Sequence, residues 1–230
     1  MTNSSDAAIA NRNIGLIPRR SGAIDDLAVT DDEIVVLREQ AKRDQKQERE
    51  FHSSNIALMA EVPVLETERL KLRGHGLDDF AACAAMWADP EVTRHIGGRP
   101  LAGEESWTRL LRYVGHWALL GFGYWVVEEK ATGRFIGEAG FADYKRKVQH
   151  WPEGAPEIGW VFVTESHGKG YATEAVRAVV AWGDRHFGAR QTGCIIQPAN
   201  LASIRVAEKC GYRKLQDTTH QGHATVIFVR

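Results

Sequence analysis

The chain predicts an α/β-type domain built on a mixed sheet with helices packed against it, over roughly residues 64–230. Three observations carry that prediction. Short alternating or continuously apolar runs read as strands, longer stretches with apolar residues at helical spacing read as helices, and glycine-bearing turns join several strands directly.

"TERLKLRGH" alternates, with Leu70 and Leu72 on one side and Arg69, Lys71 and Arg73 on the other, the pattern of a half-buried strand. "LDDFAACAAMWADP" places Leu77, Phe80, Ala84 and Trp87 on one helical face, with Pro90 after its end. "GEESWTRLLRYVGHWALLG" gives a second amphipathic helix through Trp107, Leu110, Leu111, Val114 and Ala118, ending at Gly121. In "YWVVEEKATGRFIGEAGFADY" two apolar runs flank Lys130–Gly133, a hairpin. "HWPEGAP" is a loop, and "EIGWVFV" a strand of the type buried on both faces. A helix follows, with Ala172, Ala175, Val176, Val179, Val180 and Phe187 in register and Gly188 as its stop. "QTGCIIQ" is a further buried strand. "NLASIRVAEKCG" is a helix with Asn200 as N-cap and Gly211 beyond its end. A hairpin turning at Gln221–Gly222 closes the chain. The order is β-α-α-β-β-β-α-β-α-β-β.

Residues 1–60 differ in character and form the expected N-terminal extension. The first part is polar; then Thr30 and Glu33 make a capping box ahead of a strongly charged stretch, a solvated helix. A net charge of −1 argues against a dedicated nucleic-acid binder. There is neither an apolar run of membrane-spanning length, about 18 residues, nor an apolar signal core, so a cytoplasmic protein is expected. Cys83, Cys194 and Cys210 match no zinc spacing and read as reduced, buried thiols; no metal is expected.

The most informative stretch is "ESHGKGYATEAV". Gly168 and Gly170 stand at the mouth of a helix, directly after a buried strand. A helix N-terminus offers unpaired amides and the positive end of the dipole, and glycines let a phosphate approach them. The spacing fails the Walker pattern, since Gly170 follows Lys169. It also fails the dinucleotide pattern, since Thr173 stands where the last glycine belongs.

"HGKGYATEAV", preceded by "PEIGWVFV" and followed by "NLASIRVAEKCGY", resembles the GNAT superfamily of N-acetyltransferases. The chain is most similar to the branch that includes the ribosomal-protein alanine acetyltransferases RimJ and RimL. "LETERLKLR" at the start of the compact part agrees. The resemblance covers residues 64–230, the N-acetyltransferase domain. It implies a mostly antiparallel central sheet flanked by helices, with two parallel strands splayed at the cofactor site. One departure is Glu165, where the superfamily often has Gln or Arg.

By this resemblance acetyl-CoA is the co-substrate. His167, Gly168, Lys169, Gly170, Tyr171 and Ala172 would give amides to its pyrophosphate. Val161 and Val163, or the residue between them, would bond its pantetheine arm. Asn200 would serve as cap and cofactor contact. Many members use a tyrosine as acid where this chain has Ala207; the branch resembling RimL uses a serine, here Ser203. The superfamily often forms dimers, so a homodimer is among the expectations.

Acetyl transfer needs a neutral amine, and an α-amine is easier to deprotonate than a lysine amine by about 3 kcal/mol. Base candidates are Glu138 in "FIGEAGF" and Glu157 in "PEIGW"; His150 lies in the loop between them, and Trp151 is an expected wall of the acceptor site. The acceptor is a primary amine, on a protein N-terminus or a small molecule. The alternative is a non-catalytic acyl-CoA-binding or sensory domain.

Overall fold

A computed structural model of the chain describes residues 61–230. The N-terminal extension, with its expected capping box at Thr30 and Glu33, lies outside the described residues.

The elements are β1 (Leu65–Glu66), β2 (Leu70–Arg73), α1 (Phe80–Ala88), α2 (Pro90–Thr93), α3 (Gly103–Leu120), β3 (Tyr124–Glu129), β4 (Arg134–Ala142), β5 (Glu157–Phe162), α4 (Tyr171–Phe187), β6 (Gly193–Ile196), α5 (Leu201–Lys209), β7 (Arg213–His220) and β8 (His223–Val229). They form one sheet in the order β1-β2-β3-β4-β5-β6-β8-β7. Every pairing is antiparallel except β5 with β6, which is parallel and rests on a single register pair, Glu157↔Gly193. Beyond that pair the two strands part, and the sheet opens into a V. This is the splayed, mostly antiparallel sheet that the resemblance implied.

Alternation along β2 is realised, with Leu70 and Leu72 fully buried. The hairpin between β3 and β4 turns where expected, with Gly133 at φ +68°. Gln221 and Gly222 turn the last hairpin, both at positive φ.

Two helices bury faces rotated from those the spacing predicts. Short helical turns at Leu77–Asp79 precede α1, and Asp79 is tied to Arg73 by contacts of 2.7 and 2.8 Å. That tether directs Cys83, Met86 and Trp87 inward and leaves Leu77 75% exposed. In α3 the buried residues are Ser106, Leu110, Tyr113, His116 and Trp117, while Leu111 is 50% exposed. The shift is about one residue, roughly 100° around the axis. Apolar count alone misses it because Tyr113, His116 and Ser106 face inward to polar and aromatic neighbours.

The main core lies between the sheet and α3 and α4. Trp117, Trp125 and Trp182 meet edge to face with centroids 4.6 to 5.5 Å apart, and Phe141 and Phe187 extend the cluster. The fully buried Trp117, Trp125 and Phe141 each contribute roughly 1.5–3 kcal/mol, and the half-buried Trp182 and Phe187 less. This rigid layer fixes the ends of β4 and β5, and with them the open side of the V.

Candidate active site

A cleft runs through the gap between β5 and β6. Two cavities of about 610 Å³ each meet there and share His95, Ile96, Trp160, Val161, Asn200 and Ser203 as walls.

One end is the glycine loop. Gly168 and Gly170 adopt φ +75° and +81°, the left-handed region where a side chain would be strained. Gly170 is the N-cap of α4 and has no side-chain cap. Among the described residues, the amides of residues 168–173 meet no protein acceptor. The loop is pinned from below. Glu174 accepts bonds from the Thr67 hydroxyl at 2.6 Å, the Arg69 amide at 2.9 Å and Arg69 Nε at 2.7 Å. Burial alone would raise the Glu174 pKa, but these bonds from Thr67 and Arg69 hold it below the ordinary carboxylate range. Arg69 also reaches the Lys169 carbonyl (3.0 Å) and lies over the Tyr171 ring at 4.5 Å. Tyr171 in turn donates its hydroxyl proton to Glu129. Arg94, His95, His167, Arg205 and Lys209 line this cavity against one carboxylate, Glu91. The surface therefore suits a polyanion.

The strand edge is equally defined. The Val163 amide donates to the Ile136 carbonyl at 3.0 Å, inside the sheet. Since bonding direction alternates along a strand, Val161 faces β4 as well, and Trp160 and Phe162 face the gap. The backbone groups open to a ligand thus belong to Trp160 and Phe162, not to Val161 and Val163. Val161 still lines both cavities. The Phe162 carbonyl accepts from the His167 ring (Nε2, 3.0 Å), and the His167 amide is spent on the Thr164 carbonyl (3.1 Å). His167 therefore braces the loop and has no free amide.

The other end is a chamber lined by Trp87, Tyr113, Tyr124, Tyr144, Arg109, Arg112, Arg146 and Glu157. Tyr113 and Tyr124 stack at 4.4 Å. The Tyr124 hydroxyl lies directly on Gly159: a Cβ there would stand 1.9 Å from it, so the glycine of "EIGW" is what lets the tyrosine reach β5. Glu157 sits at the start of β5, 13% exposed, with Arg146 Nη2 at 3.2 Å. Burial pushes its pKa up to about 7, with Arg146 opposing. A carboxylate in that range is suited to general-base work near neutral pH.

Asn200 Oδ1 accepts the Ser203 amide at 3.1 Å and caps α5. Asn200 and Ser203 both stand on the shared wall, while Ala207, one turn further, is fully buried. Glu157, Ser203, Asn200 and the glycine loop are thus brought to one cleft. Glu138, Trp151 and His150 are not. Glu138 is 1% exposed; its Oε1 is 3.0 Å from His75 Nε2 and 3.2 Å from Cys83 Sγ, and its Oε2 accepts Trp87 Nε1 at 3.0 Å. It lines neither cavity. The Trp151 ring covers Gly193, its Nε1 on the Ala155 carbonyl (3.2 Å), and His150 is exposed outside the chamber.

His75, Cys83 and Glu138 form the one grouping of metal-ligating side chains among the described residues, their atoms within 4.8 Å of one another. Burial drives the Cys83 pKa up, which keeps the thiol protonated and bonded to Glu138. The set reads as a buried hydrogen-bond cluster around the Glu138 carboxylate, with His75 Nδ1 left without a partner. All three cysteines are free and buried.

Arg109, Arg112 and Arg146 were not singled out by sequence. Arginines on an amphipathic helix or in a polar loop look like solvated charge, and only tertiary packing brings Arg109 and Arg146 partly inward and lays the exposed Arg112 over the chamber rim at Tyr144.

A split sheet with an anion-ready helix N-terminus at one end and a poised carboxylate at the other defines a group-transfer enzyme. Residues 69–213 match the acetyltransferase (GNAT) domain, and the chain belongs to that family; it is an acyltransferase of the N-acetyltransferase kind. The uncharacterized N-acetyltransferase YoaA of Bacillus subtilis is 31% identical over 157 residues, covering 66% of this chain and 84% of that protein. An acetyltransferase from Agrobacterium tumefaciens shares the fold with a TM-score of 0.64 at 26% identity, covering 74% of this chain and 95% of that one. RimL, an acetyltransferase of ribosomal L7/L12 solved with coenzyme A, shares the fold with a TM-score of 0.60 at 14% identity, covering 73% and 97%. Among the described residues no helix is long and apolar enough to cross a membrane.

Proposed function

We propose that the protein moves an acetyl group from acetyl-CoA to a primary amine by direct attack in a ternary complex. The supporting observation is the continuous cleft through the β5–β6 split, with unbonded amides at residues 168–173 at one end and Glu157 and Ser203 beyond it. The diphosphate would take the amides of Gly168 to Thr173, with His167 bracing from behind and Lys169 adding charge nearby. The pantetheine arm would take the backbone edge of Trp160 and Phe162. Acetyl-CoA supplies an activated acyl group as a thioester.

Glu157 would accept the proton of the attacking amine, directly or through water. As the N–C bond forms and the C–S bond breaks, Ser203 would give its hydroxyl proton to the departing sulfur and recover one through solvent, to which Glu157 releases the proton it took. The products are an amide and the free thiol. Glu138 has no route to the acceptor and takes no part. We place the protein with the RimJ- and RimL-like branch on its use of serine at position 203, and in the cytoplasm, where acetyl-CoA is made and used.

The test pairs two measurements. Acetyl-CoA should raise the melting temperature while ATP does not, and thiol release should accompany turnover of at least one amine in a panel of peptides and small amines. An unchanged melting temperature with acetyl-CoA would end the proposal. Binding without thiol release from any acceptor would instead make the protein a non-catalytic acyl-CoA binder.

A further inference from the structure

We infer that the acceptor is a primary amine that also carries a carboxylate, and that Arg109 holds that carboxylate. The inference rests on the acetyl-transfer reading and names the class of its acceptor.

The chamber holds positive charge that the protein does not use. Of its carboxylates, Asp143 is paired with Lys145 at 2.6 Å and Glu157 with Arg146 at 3.2 Å. Arg109 has no ion-pair partner among the described residues. Its guanidinium lies over the Trp87 ring at 3.9 Å and reaches only the Tyr113 hydroxyl, at 3.4 Å; its Nε is buried without any partner. Glu105, one turn before Arg109 on the same helix, is bonded to Arg99 at 2.6 and 2.9 Å, and Glu138, behind Trp87, has its oxygens taken by His75, Cys83 and Trp87. Arg112 follows one turn later on the same helix, exposed, over the Tyr144 ring at 5.1 Å.

A guanidinium withdrawn from water is costly to leave unpaired, and its planar fork matches a carboxylate. Stacking on Trp87 fixes the plane of the fork and leaves its edge for a ligand. Aromatic walls at Tyr113, Tyr124 and Tyr144 exclude water around that contact and strengthen it. With Arg109 and Glu157 lining one chamber, a carboxylate at the first would leave the molecule's amine for the second. The same field repels polycationic amines such as polyamines and amino sugars.

The experiment uses the full chain with saturating acetyl-CoA and reads thiol release. Matched acceptors are amino acids as free acids, as amides and as decarboxylated amines; a pair of tetrapeptides differing only in Asp or Asn at the second position; and spermidine. The carboxylate members of each set should show kcat/KM at least about tenfold higher, and the free-acid and peptide arms tell a metabolite from a protein terminus. Arg109→Gln should abolish that preference, the loss falling on the carboxylate acceptors through KM, with the acetyl-CoA melting shift intact. Equal or faster turnover of the amides, the decarboxylated amines or spermidine by the unaltered protein would overturn the inference while acetyl transfer stands. Thiol release from no acceptor, with acetyl-CoA still bound, would remove the transfer reading itself. The matched series does not depend on any variant folding.

Discussion

Glu138 on β4 and Glu157 on β5 occupy neighbouring strands of one sheet, yet they live in opposite surroundings. Around Glu138, three side chains from two places converge: His75 from the loop after β2, and Cys83 and Trp87 from α1. Around Glu157 there is one arginine, a wall of tyrosines and an opening to the cleft. The first carboxyl is satisfied and closed off. The second is desolvated, and its proton affinity rises to about 7. A buried acid becomes reactive when burial exceeds the hydrogen bonding it receives, and structural when hydrogen bonding catches up.

The sharpest way to break this contrast is Glu157→Gln. It should lower kcat/KM for the acceptor by about a hundredfold or more, the usual range for losing a general base. Acetyl-CoA binding, read by melting shift, should be unchanged. The pH profile adds a sign. Because burial raises the Glu157 pKa from 4.5 to about 7, the base form fills only as pH rises through that value, so activity should climb between roughly pH 6 and 8. In the Gln variant that limb should vanish, leaving only the titration of the amine itself. An unchanged profile would pass the base role to another group.

How much of this was legible beforehand follows the same divide. The glycine loop was legible in its placement: Gly168, Gly170 and the strand before them state a backbone geometry that no partner has to complete. Asn200 was legible as a helix cap from the residues themselves, and Ser203 was singled out only through the resemblance to the RimL-like branch. The chamber was not legible. "FIGEAGF" and "PEIGW" offer equivalent carboxylates, and what separates them are His75, Cys83 and Trp87, more than fifty positions earlier in the chain than Glu138. Arg109 gives no signal either, because its meaning depends on the Trp87 ring beneath it and on Glu105, one turn away, being bonded to Arg99 instead. Even the loop hides one part: Thr67 and Arg69 fall within a stretch that shows only strand alternation, yet they hold Glu174 and so fix the angle of α4.

A smaller effect is expected at Ser203, on the wall between the two ends of the cleft. A thiol of ordinary pKa, about 8.5, leaves readily without help, so Ser203→Ala should cost only about tenfold in kcat. The acetyl-CoA melting shift should persist, since the Asn200 cap uses the Ser203 amide and not its side chain. Full retention of kcat would leave proton return to water.

The smallest change in activity is expected where the sequence offered an equally good base. Glu138→Gln keeps the shape but replaces one acceptor oxygen with an NH₂ that cannot receive a proton from Trp87, Cys83 or His75. Trp87 Nε1 has no other acceptor among the described residues and lies in the interior, so the amide oxygen must stay with Trp87 and the NH₂ turn to the side of His75 and Cys83, where it strands the Cys83 thiol. A buried donor without a partner costs about 1–3 kcal/mol. At about 2–4 °C per kcal/mol for a domain of this size, the melting temperature should fall by several degrees. The kcat and the pH limb near 7 should survive, because no atom of Glu138 borders the cleft. A folded Glu138→Gln protein that lost activity as Glu157→Gln does would erase the distinction between the two carboxylates. Lost stability with kept chemistry would assign one to the core and the other to the reaction.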